Sequence, residues 1–153
     1  MRVPLAWPAV TASALLLTGL GATPAQADAV YHSQHVALHA VGSAPLRSGF
    51  VENIHANGPT VYAMERYALV GAVPGSYTVT LHLFADTSCR TVIGPFPSIT
   101  FATNRVGNGV GHLRLPPSAI PAGFHGATIG VVWELAGSTG ATYVTGCSTV
   151  VLD

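Results

Sequence analysis

The sequence predicts an all-β protein: a single antiparallel β-sandwich, immunoglobulin-like or jelly-roll, of about eight strands. Three observations predict it. Apolar and polar residues alternate with a period of two along several segments. No segment sustains the 3.6-residue period of a helix, and turn residues recur every ten to fifteen positions without a helical insert.

Taken in order, Val36, Leu38 and Ala40 alternate with Ala37 and His39 in a first strand, and a shorter, weaker strand falls near Gly49 to Asn53. The Asn57-Gly58-Pro59 turn opens a strand over Thr60 to Val70. Val73-Pro74-Gly75 is a second turn, since proline presets φ and glycine accepts a positive φ after it. In Ser76 to Phe84, Tyr77, Val79, Leu81 and Leu83 share one face and Thr78, Thr80 and His82 the other, as a half-buried strand requires. The strands at 60–70 and 76–84 form a hairpin or a crossing from one sheet to the other. Arg90 to Ile93 is another weak strand, and Ile99 and Phe101 anchor one that ends at Asn104. Gly107-Asn108-Gly109 turns the chain into Val110 to Leu115. Pro117 to Ile120 is one helical turn at most. Ala127 to Leu135 places Ile129, Val131 and Trp133 on one face, and a turn at 137–140 leads to a closing strand, Thr142 to Leu152.

The stretch Y-A-L-V-G-A-V-P-G-S-Y-T-V-T-L at 67–81 resembles the P-G-x-Y-x-V-x-V hairpin of extracellular immunoglobulin-like modules. The scarcity of charge and the absence of lysine resemble small secreted actinobacterial-type proteins of unassigned function. The resemblance implies a sandwich and carries no functional residue across. The Cys-Trp-Cys arrangement of antibody domains is not matched, because Trp133 sits late in the chain and near the second cysteine.

The first residues read as an export signal. Arg2 is the one positive charge, Ala9 to Gly21 is an uncharged apolar stretch too short to span a bilayer, and Ala25-Gln26-Ala27 fits a signal peptidase site. Residues 1–27 are therefore expected to be cleaved, leaving one domain over 28–153 that is secreted and outside the membrane. That domain carries five arginines against six acids, a charge of −1, which suits neither nucleic acid nor an anionic membrane surface. Cys89 and Cys147, 58 residues apart, are expected to form one disulfide in an oxidising compartment.

Chemistry-bearing residues are few. Seven histidines stand at 32, 35, 39, 55, 82, 112 and 125, with no metal-ligand spacing among them. His35 and His39 lie about 13 Å apart along a strand. His39, His82 and His112 are left as weak candidates for a site assembled across strands, but no metal or other cofactor is expected. Glu65 is a candidate binding or general-base carboxylate if Val61, Ala63, Tyr67 and Leu69 face inward, with Arg114, Arg47 or His82 as partners. The opposite parity, with Tyr62, Met64 and Arg66 inward, leaves Glu65 in solvent and is the preferred reading. No G-x-S-x-G elbow occurs, and G-N-G-V-G at 107–111 opens a strand, so it is a hairpin turn and not a phosphate loop. Arg90, beside Cys89, is a candidate inhibitory residue for a trypsin-like protease. The expectation is thus a non-enzymatic binding or structural module for an unknown extracellular protein or small ligand; the alternative is a proteinase inhibitor or small-ligand carrier.

Overall fold

A computed structural model describes residues 31–56, 63–119 and 122–152. The expected signal peptide, the Asn57-Gly58-Pro59 turn, Val61, Tyr62 and Ile120 lie outside these residues. The described chain is all-β: β1 (Tyr31–Ala40), β2 (Ser48–Ala56), β3 (Ala63–Val70), β4 (Ser76–Phe84), β5 (Val92–Ala102), β6 (Gly109–Leu115), β7 (Ala127–Gly137), β8 (Thr142–Thr145) and β9 (Ser148–Leu152). Two 3-10 turns, Pro117–Ala119 and Ala122–Phe124, join β6 to β7. No helix among the described residues is long and apolar enough to cross a membrane.

All pairings are antiparallel. One sheet runs β1-β2-β3-β6, and the other runs β5-β4-β7, with β8 and β9 both on the far edge of β7. β1 belongs to both. Its residues 31–37 pair with β2, whereas Leu38, His39 and Ala40 pair with β8. At the opposite side β6 lies close against β5: a side chain at Gly111 would meet Ile99 and Phe101 within 3 Å. The two sheets therefore nearly close on themselves, as a barrel-like sandwich. The 60–70 and 76–84 strands of the sequence reading face one another across the interior, so their connection is a crossing and not a hairpin.

Several elements differ from expectation. The weak strand at 49–53 is a full nine-residue strand, stapled on both sides by β1 and β3. The separate pieces at 90–93 and 99–104 are one strand, β5, running through Pro95 and Pro97. Proline lacks an N–H but its φ suits an extended chain, so it is accommodated at a sheet edge. The closing strand is broken at Gly146-Cys147, where its register on β7 slips by one residue between Val144 and Ser148. There the Trp133 backbone N–H takes the Thr145 hydroxyl as acceptor at 3.0 Å. The Gly107 turn is as expected: its φ is +77°, and a side chain there would stand 1.9 Å from the Ala72 carbonyl oxygen.

Between the sheets lies one core. Trp133, Tyr67, Tyr77, Tyr143, Leu135 and Val79 are fully buried. The tyrosine hydroxyls are used locally: Tyr77 donates to the Val73 carbonyl at 2.5 Å and Tyr143 to that of Pro45 at 2.8 Å. A buried polar tip with its hydrogen bond made keeps the benefit of the ring's apolar burial.

Candidate functional site: a polar row beneath an apolar cavity

Alternation along β1, β2 and β3 puts one polar residue of each strand into the interior, and the register sets them side by side. Gln34 lies opposite Asn53, and Asn53 opposite Glu65. Asn53 is 2% exposed and Glu65 5%. The Trp133 indole N–H donates to Glu65 Oε1 at 3.1 Å, and the Tyr67 hydroxyl donates to Oε2. Burial raises the Glu65 carboxyl above the usual carboxylate range, against the lowering effect of these two donors. Burial, and then the Glu65 charge, raise the Tyr67 phenol well above its ordinary value.

Two acceptors in this row have no donor. The Gln34 amide nitrogen donates to the Thr149 carbonyl. Gln34 Oε1 and Asn53 Oδ1 are both buried without a hydrogen-bond partner among the described residues. Such groups are uncommon in folded interiors and costly when left so.

Beside the row the two sheets stand apart around a cavity of about 170 Å³. Asn53, Glu65 and Trp133 form its polar end. Leu81, Leu83, Val131 and Val150 supply apolar wall. It reaches the surface near Phe96, which is 47% exposed, and near Ala119 in the first 3-10 turn. No arginine or histidine lines it, and the chain has no lysine.

Glu65 thus takes the parity that the sequence reading disfavoured. Ala63, Glu65, Tyr67 and Leu69 are buried, while Arg66 is exposed on the outer face. The apolar weight of Tyr67 and Leu69 decides the parity, and neutral donors on Tyr67 and Trp133 satisfy the carboxylate where an arginine was anticipated. None of the anticipated partners holds it. Arg114 stands on β6 opposite Met64, on the outer face. His82 binds Glu134 at 3.1 Å on the outer face of the other sheet, and the Arg47 backbone N–H pairs with Val70. Gln34 and Asn53 were missed. Their signal was a polar residue two places from Val36 in β1 and from Val51 in β2, at apolar parity, but it becomes legible only once these strands are in register with Glu65.

The three weak metal candidates are not brought together. His39 is exposed opposite Val144, His82 is on the Glu134 carboxylate, and His112 is exposed beside Arg66 on the other sheet. Among the described residues no group of three or more histidine, cysteine, aspartate or glutamate side chains is placed to hold a metal ion.

Cys89 and Cys147 form the expected disulfide, with Cα atoms 5.9 Å apart. It ties the Asp86–Thr91 loop to the break between β8 and β9. Within that loop the Asp86 carboxylate accepts from the Ser88 N–H at 2.9 Å, the Ser88 hydroxyl at 2.5 Å, the Arg90 N–H at 3.2 Å and the Thr91 N–H at 2.5 Å. These donors, the Ser88 hydroxyl foremost, hold its carboxyl well below the usual carboxylate range. Arg90 is exposed, and Cys89 before it has a φ of 54°, in the left-handed region.

Comparison of the chain with protein-family models, with curated proteins and with solved structures finds no match in any of the three. The functional reading therefore stands on the cavity and its polar end.

Proposed function

We propose that this protein is a secreted, non-enzymatic β-sandwich module of immunoglobulin-like type that binds a small, largely apolar ligand in the inter-sheet cavity. The observation that carries this reading is the pairing of an apolar cavity with buried acceptors that have no donor. An apolar cavity open to the surface leaves its lining without packing partners on one side, and a ligand that fills the space supplies those contacts. The carboxylate is engaged by Tyr67 and Trp133, an arrangement that suits recognition. The signal-like N-terminus and the disulfide support export.

Trp133 reports on the cavity directly. The chain has two tryptophans, and Trp7 falls within the expected signal peptide, so the secreted domain carries a single emitter, Trp133, at the site. Titration with one-ring compounds is expected to quench or shift Trp133 emission saturably. Emission unchanged by every compound would contradict the reading.

A second reading rests on Arg90, exposed in a loop held by the disulfide and by Asp86. An inhibitor would block trypsin stoichiometrically and lose that effect on Arg90→Ala. Full trypsin activity at micromolar protein would dismiss it.

A further inference from the structure

Resting on the cavity reading above, we propose that the ligand is a protonated primary amine on an apolar body about one ring in size, its ammonium set against Glu65 and Asn53. The groups in this row that lack a partner are acceptors, Asn53 Oδ1 at the polar end of the cavity and Gln34 Oε1 next to it. They stand beside the Glu65 carboxylate, whose two donors come from Trp133 and Tyr67. A ligand must therefore bring hydrogen-bond donors. An ammonium brings three, enough for Asn53 and Glu65 together, whereas an alcohol brings one. A carboxylate brings none at neutral pH and would face Glu65 as a like charge.

Charge points the same way. The donors on both Glu65 oxygens, from Trp133 and Tyr67, are the arrangement that suits an ionised carboxylate. Yet no cationic side chain lines the cavity to balance it. A buried charge without a counter-ion is unfavourable, and a ligand that carries the opposite charge completes the pair. Trp133, Phe96 and Phe124 add aromatic surface to the wall, on whose faces a cation is attracted. The volume sets the size, since a cavity of about 150 Å³ accommodates benzene.

Three compounds of one shape separate these ideas: benzylamine, benzyl alcohol and benzoate. Calorimetric titration of the full chain at pH 7 is expected to show benzylamine binding at least about tenfold more tightly than benzyl alcohol, the usual scale for a charged hydrogen bond. Benzoate is expected not to bind. Glu65→Gln is expected to weaken benzylamine about tenfold or more and to leave benzyl alcohol little changed. Benzyl alcohol matching benzylamine, or benzylamine indifferent to Glu65→Gln, would overturn the amine assignment and leave the cavity reading standing. Failure of all three compounds to bind would overturn the cavity reading and the assignment with it. Should Glu65→Gln not fold, the amine-to-alcohol ratio on the unsubstituted chain decides the matter alone.

Discussion

The Trp133 indole N–H donates to the Glu65 carboxylate at 3.1 Å, joining β7 of one sheet to β3 of the other through the interior. The bond makes a buried titratable group part of the core, and stability should follow its protonation. Burial raises the Glu65 carboxyl above its ordinary value of 4.5 in the folded state. Between 4.5 and the raised value the folded protein binds more protons than the unfolded chain, so this group's contribution falls as pH rises and then levels off. The charged side chains nearest in sequence or register, Glu52, Arg66, His82, His112, Arg114 and Glu134, point to the outer faces. Glu65→Gln removes the titration. Urea midpoints of the two proteins, measured from pH 4 to 8, should show the unsubstituted protein losing stability relative to the variant as pH rises. A constant difference would show that Glu65 does not titrate abnormally.

The disulfide closes a loop of 58 residues between the cysteines. On the chain-entropy account it should stabilise the fold by about 4 kcal/mol. The Cys89→Ser, Cys147→Ser double variant should unfold at correspondingly lower urea concentration. Intact mass should rise by two hydrogens on reduction of the parent, and equal masses would show free thiols.

Asp86 shapes the loop that presents Arg90. Because its carboxyl is lowered, the loop's hydrogen bonds contribute their full stability above the ordinary value of 3.8. This contribution declines as pH falls from there toward the lowered value, where the carboxylate is finally protonated and the bonds are lost. Asp86→Ala should release the same bonds at neutral pH. We expect trypsin to cut after Arg90 much faster in the variant than in the parent, read by the fragment masses. Equal rates would mean that Asp86 does not hold the loop.

Ala63 lines the cavity and is itself buried. Ala63→Leu extends an apolar side chain into the void. Stability should rise by about 1 kcal/mol, as cavity-filling changes commonly do, while benzylamine binding is lost. A variant that keeps full affinity would place the ligand elsewhere.

The fold was largely legible because a half-buried strand writes its two faces into the sequence: Tyr77, Val79, Leu81 and Leu83 against Thr78, Thr80 and His82. The break at Gly146-Cys147 was not, since a slipped register is a property of two strands together. The candidate site was legible only in Glu65, and with the wrong face preferred. A lone glutamate argues against an inward parity, and what reverses the argument is distant in the chain: the Trp133 indole, 68 positions away. Gln34 and Asn53 read as ordinary polar residues. Only the pairing of β1, β2 and β3 makes a row of them.

The claim on which the rest depends is that the space between the sheets receives a small molecule. Methyl NMR of the leucines and valines during a benzylamine titration tests it most directly. Saturable shifts concentrated on Leu81, Leu83, Val131 and Val150, with Val92 and Val106 on the surface unmoved, are the predicted result. Shifts absent from those four cavity residues, or confined to the outer faces, would contradict it.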